Sequence, residues 1–212
     1  MTQPYAHRTL PEGYDLYRTL DLIKDRKLLL ILSAASLGLF LACWAGLVWL
    51  LQQLRPDLTP GRGSFEFRLS GIGGVLIPLL VLLGVVFAMV IVHEAIHGVC
   101  FWLFTGGRVK FAFKGAYAYA AAPDWYVYKQ PYKVVSLAPL VLITVLGLLA
   151  LLWVPANWVA PLMLLIAMNA SGAVGDIYVV FLLTKLPGEA LVQDFGEQML
   201  LFTRNETHLG GN

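Results

Sequence analysis

The sequence predicts an all-α integral membrane protein of about four transmembrane helices, with a small β-hairpin as one reading of the loop between helices 2 and 3. Three observations lead there. Of 212 residues, 58% are hydrophobic and only 13% charged, whereas a soluble domain carries roughly 25% charged residues. The apolar residues are gathered into four long runs, and the charges lie almost wholly between them. A core grows slowly with chain length, so this much apolar surface must face something other than water. The net charge of +2, with no basic run, argues against a nucleic-acid partner. The partner that the composition demands is a lipid bilayer.

Taken in order, residues 1–27 form an N-terminal segment in which Leu16, Leu20 and Ile23 recur at i, i+4 and i+7 among Asp15, Arg18, Asp21 and Lys24. That spacing predicts a short amphipathic helix lying along the membrane surface. The transmembrane domain is expected over 28–185. Each run within it is compared with the roughly 20 residues that a helix needs to cross a ~30 Å hydrocarbon layer. The first, Leu28 to Leu51, begins too late for a cleavable signal and ends in Gln52-Gln53 without a small-residue cleavage pattern. The second, about Gly74 to Phe104, is longer than a bilayer requires and must tilt or project. The third runs from about Val134 to Trp153, with Pro139 either kinking or starting it. A tight turn, Val154-Pro155-Ala156-Asn157, leads into the fourth, about Trp158 to Thr184. In the tail, 186–212, the spacing of Leu191, Phe195 and Met199 permits a helical lid over a site without requiring one.

In the loop from Thr105 to Tyr132, Val109, Phe111 and Phe113 alternate with Arg108, Lys110, Ala112 and Lys114, and after Gly115 come Tyr117 and Tyr119 between alanines. Two period-two runs around a glycine read as a β-hairpin; an interfacial aromatic loop is the equal alternative. Basic residues set the expected orientation. Twelve Lys and Arg lie in the N-terminal segment, this loop and the tail or directly beside them (Lys133 and Lys185 at the edges), against three (Arg55, Arg62, Arg68) in the first loop. Both termini are therefore expected in the cytoplasm. Cys43 and Cys100 fall inside apolar runs, which does not read as a disulfide framework.

The chemistry is concentrated at His93-Glu94-Ala95-Ile96-His97, near the cytoplasmic end of the second run. Histidines at i and i+4 share one helix face, so both imidazoles can reach one metal ion. Glu94 then sits beside the water that the metal activates, placed to act as general base. Ionisable groups inside a membrane span are expensive and usually functional.

Zinc needs a third protein ligand if one position is to stay open. The fourth run contains one ionisable residue, Asp176. At 1.5 Å per residue, His93 and His97 lie roughly 16 and 10 Å before Phe104, and Asp176 lies roughly 13 Å before Lys185. The carboxylate falls between the two histidines in depth. Glu189, Asp194 and Glu197 in the tail are rival ligands that would need a fold-back. Asn169, about two turns before Asp176, lies on nearly the same face. It could bond a substrate backbone or a metal ligand, or simply make an interhelical hydrogen bond. Cys100 shares the histidine face but reads as a packed small residue. His7 and His208 read as solvated, and the sequon Asn205-Glu206-Thr207 is idle on the cytoplasmic side.

His93-Glu94-Ala95-Ile96-His97-Gly98, followed later by Asn169, Gly172 and Gly175-Asp176, resembles the putative zincin peptidase family of small multispanning bacterial membrane proteins. It is more distantly similar to the site-2 intramembrane metalloproteases. The resemblance covers about Gly74 to Lys185 and implies His93, His97 and Asp176 as ligands of one zinc ion, with Glu94 as catalytic base. It also implies that the Arg108–Tyr119 region, with Phe111 and Phe113, holds an extended substrate. Site-2 proteases carry an Asp-Gly at the third ligand, whereas Asp176 is followed by Ile177.

The expected function is a zinc metallopeptidase of the bacterial cytoplasmic membrane, cleaving membrane or membrane-proximal proteins or peptides, in an oligomeric state that the sequence leaves open. The alternative is a non-proteolytic zinc-binding sensor, chaperone or transporter.

Overall fold

A computed structural model describes residues 5–21, 24–58, 71–115 and 117–205, with backbone alone at 71–73. Ile23, Arg62, Arg68, Glu206, Thr207 and His208 lie outside the described residues.

Among the described residues, four helices are long and apolar enough to cross a membrane. Helix α1 spans Arg26–Leu54, α2 Gly71–Thr105 and α3 Lys129–Ala150; the fourth run divides into α4, Ala156–Gly172, and α5, Val174–Thr184. Long stretches of Leu, Val, Ile and Ala form helices in lipid because the backbone must satisfy its own hydrogen bonds there. Large apolar side chains such as Leu30, Ile77, Leu83 and Leu146 are exposed, as a hydrocarbon surround allows.

The chain forms two compact units. One comprises Ser33–His93 and Leu140–Val174. Its core joins Leu47, Leu51, Leu151, Val159, Met163 and Ile166. A Cβ at Gly147 would collide with Ile166, so the glycine lets α3 and α4 approach closely. Ser36 Oγ donates to the carbonyl of Ser171 at 2.8 Å, beside the interruption at Ala173. Arg55 donates to the carbonyl of Val154 at 2.5 Å, in the turn between α3 and α4.

The other unit, Met1–Leu32, Glu94–Pro139 and Gly175–Asn212, contains what the all-α expectation omits. Strands β1 (Ala6–His7), β2 (Tyr14–Asp21), β3 (Lys110–Phe113), β4 (Ala118–Tyr128), β5 (Leu191–Asp194) and β6 (Gln198–Arg204) form a six-stranded antiparallel sheet. Its order is β1-β4-β5-β6-β2, with β3 paired to β4. The hairpin expected around Gly115 is present, in the register Lys110↔Ala121 to Phe113↔Ala118. Gly115 has φ +79°, and Lys114 N–H donates to the carbonyl of Tyr117 at 2.9 Å.

The expected N-terminal amphipathic helix is instead β2, paired with β6 from Tyr14↔Arg204 to Asp21↔Gln198. A spacing of four residues returns to the same face of a strand as well as a helix. The register shifts between Leu16 and Arg18, and Leu20 is buried while Leu16 is 54% exposed. The two leucines therefore share no apolar stripe. The helical lid spacing in the tail is likewise overturned, because Leu191 lies in β5, Met199 in β6 and Phe195 in the turn between them. The core beneath the sheet joins Leu20, Phe101, Val127, Tyr132, Val135, Leu183, Val192 and Leu201.

Candidate metal centre

His93 and His97 stand one turn apart on α2, each 8% exposed. Asp176 lies in the first turn of α5, just after the interruption at Ala173, where the N-terminal end of the helix dipole favours a carboxylate. One donor atom from each of the three lies within 4.8 Å of the others, the group among the described residues that could hold a metal ion.

Hydrogen bonds orient both imidazoles. His93 Nδ1 is 2.9 Å from Asn169 Oδ1, and His97 Nδ1 is 2.9 Å from the carbonyl oxygen of Val135. Both partners are acceptors, so each Nδ1 carries the proton and donates, which leaves the Nε2 lone pair for a metal. His97 Nε2 is 3.5 Å from Asp176 Oδ1. That exceeds an ordinary hydrogen bond. It matches the ~3.3–3.6 Å edge of a tetrahedron whose zinc–ligand distances are about 2.0–2.2 Å. The donor set, two imidazoles and a carboxylate, is one that zinc takes, and the His97–Asp176 spacing suits a shared ion.

The Val135 carbonyl is open to His97 for a local reason. Its helical partner would be the N–H of residue 139, and Pro139 has none. Sequence reasoning took Pro139 only as a kink or start; the i+4 proline was the available signal for a freed acceptor four residues earlier. Asn169 is fully buried, and its amide oxygen faces His93 across the gap between α2 and α4, an interhelical hydrogen bond made to one of the candidate ligands.

Glu94, between the histidines in sequence, is half-buried on α2. Phe111 and Phe113 lie on β3, 58% and 63% exposed. A Cβ at Gly98 would collide with the Phe111 ring, so the glycine that ends the motif is where the hairpin meets α2. Cys100 is partly buried against the core beneath the sheet.

The rival ligands have other partners. Glu189 pairs with Arg204 at 3.2 Å, and Glu197 lies 3.6 Å from Lys114 and accepts from the Tyr117 hydroxyl at 2.9 Å. Asp194 is buried, accepts from the Tyr132 hydroxyl at 2.6 Å and receives the Gly196 N–H at 2.6 Å. Burial pushes its carboxyl above the ordinary value of 3.8, against the pull of those two donors and of His97 nearby.

The helices and the His–His–Asp group define a class, a chain with four helices long and apolar enough to cross a membrane and an HExxH-type candidate metal centre among its described residues. Residues 86–191, half of the chain, match the family described as putative zincin peptidase, and the chain belongs to that family. No curated protein and no solved structure matches it.

Proposed function

We propose that the chain is a zinc-dependent endopeptidase embedded in the membrane, hydrolysing peptide bonds of membrane or membrane-proximal proteins. The observation that carries this reading is the convergence of His93, His97 and Asp176 with both imidazoles held Nδ1-protonated. These three residues would hold one zinc ion. When bound, the ion supplies Lewis acidity, polarising a carbonyl and acidifying water. Glu94 takes the proton of the attacking water and returns it to the leaving amine. Asn169 and Val135 keep the imidazoles fixed while Glu94 exchanges that proton. Among the described strands β3 pairs with β4 alone. Its outer edge can receive an extended substrate by β-augmentation, with Phe111 and Phe113 providing apolar contacts. The basic residues of the N-terminal segment, the hairpin loop and the tail support a cytoplasmic placement of all three in the bacterial cytoplasmic membrane.

The test combines metal analysis with turnover of a fluorescent peptide bearing an apolar segment, in detergent or proteoliposomes. Wild type should hold one zinc and cleave. Glu94→Gln should keep the zinc and lose cleavage by about 10²–10⁴-fold. Absence of stoichiometric zinc from wild type would overturn the metal reading. Zinc binding with turnover indifferent to Glu94 would instead establish a non-proteolytic zinc protein.

A further inference from the structure

A second site lies in the sheet unit, among residues the metal chemistry does not use. Arg8, Arg108, Asp124, Trp125, Tyr126 and Gln193 line a cleft of about 570 Å³, within the ~300–1,000 Å³ range of small-molecule sites. Trp125 organises it. The Arg8 guanidinium lies over its ring, 5.0 Å from the centroid, a cation–π arrangement that holds the side chain in place. On the indole nitrogen side, a Cβ at Gly107 would collide with Trp125. Glycine there lets the chain leaving α2 lie against the indole, and the next residue, Arg108, enters the same cleft.

The charges are not balanced from within. Two guanidiniums face a single carboxylate, Asp124, and none of the three forms an ion pair among the described residues. Two arginines on one cleft repel each other and leave net positive charge. Guanidinium forks match phosphate oxygens in bidentate fashion. The location narrows the ligand further. Arg108 follows the end of the apolar helix at Thr105 by three residues, and Trp125 precedes the start of the next at Lys129 by four. If these helices cross a bilayer, the cleft residues follow or precede their ends by a few positions, near the level at which Trp, Tyr and Arg meet lipid headgroups.

We propose that this cleft binds a phosphate-bearing anion of the kind an acidic phospholipid headgroup displays. Its volume accommodates a headgroup with its glycerol as well as the phosphate. The proposal is independent of the metal centre.

The test uses full-length protein in a neutral detergent, titrated with phosphatidylglycerol, with zwitterionic phosphatidylcholine, and with inorganic phosphate, and read by native mass spectrometry and tryptophan fluorescence. Wild type should bind phosphatidylglycerol in preference to phosphatidylcholine, with affinity falling as salt rises. Arg8→Gln and Arg108→Gln should each weaken binding about tenfold or more, the effect of losing one charge-assisted bidentate contact. Arg18→Gln, outside the cleft, should not. Both cleft arginines are exposed, so their substitution leaves the core intact; an unchanged melting temperature checks this. Equal affinity for inorganic phosphate and the lipid would support the phosphate chemistry and assign its source to the free anion. Equal binding of both phospholipids without phosphate binding, or unchanged affinity in both glutamine variants, would overturn the proposal.

Discussion

His97 donates its Nδ1 proton to the carbonyl oxygen of Val135, 2.9 Å away, and Pro139 is what keeps that carbonyl out of the helical ladder. A helix-breaking residue thereby becomes part of the support of a candidate metal ligand. Pro139→Ala supplies a helical N–H that competes for the same oxygen. Alanine is the better helix former by about 3 kcal/mol, so the variant should melt no lower than wild type. Its zinc affinity should nevertheless fall about tenfold, the lower end for lost outer-shell partners. Calorimetry and chelator competition on the same sample check the pair of outcomes; a joint fall of both would mean that Pro139 is merely structural.

Asn169 supports the other histidine from α4. Asn169→Ala leaves the buried His93 Nδ1 without this acceptor. Zinc affinity should drop about 10–100-fold, while the stoichiometry at saturating zinc remains one. Competition with a chromophoric chelator measures both quantities.

Gly98 and Phe111 meet without room for a side chain between them. Phe111 is 58% exposed, so its ring can swing outward, and Gly98→Ala should cost under about 1 kcal/mol of stability. The displaced ring should raise KM for an extended peptide while leaving kcat near wild type. Phe111→Ala should do the same, and the double variant should be no worse than either single change, because both remove one contact. Additive losses would show that the two positions act separately.

Asp194 provides a pH signature. Its carboxyl titrates above 3.8 in the folded protein because burial disfavours the charge. A raised folded-state pKa means that the folded state holds the proton more tightly. The stabilisation is therefore full below the unfolded value and is lost as pH rises through the folded one. Asp194→Asn keeps an acceptor for the Tyr132 hydroxyl and removes the titration. Metal-free wild type should lose melting temperature relative to this variant as pH rises from about 4. Parallel pH curves for the two proteins would contradict the assignment.

The sequence made the site more legible than the sheet. HExxH is local, and the charge-poor runs around it isolate Asp176, whose depth can be counted along a helix. Lone carboxylates in apolar segments are conspicuous because such segments carry so few charges. The strands had no comparable signal. β2 finds its partner in β6 at the opposite end of the chain, and its unbroken exposed stretch from Asp15 to Thr19 gives no clean alternation. The hairpin of β3 and β4 was readable because its partners are neighbours in sequence and a glycine marks the turn. The division of the fourth run at Ala173 was hidden because Ala170-Ser171-Gly172-Ala173-Val174-Gly175 holds neither a proline nor a charge to mark a break. The Val135 acceptor required thinking about which carbonyl a proline releases, rather than about the proline itself.

The sheet also constrains the topology of the whole chain. It is hydrogen-bonded from pieces that precede α1, that connect α2 to α3, and that follow α5. No lipid layer can pass between strands joined by backbone hydrogen bonds. All three pieces must therefore share one compartment, and each intervening stretch must cross a membrane an even number of times. Assembly is ordered by the same fact. β2 leaves the ribosome long before β6 but must wait for it, so its edge is completed only after the last apolar helix has been made.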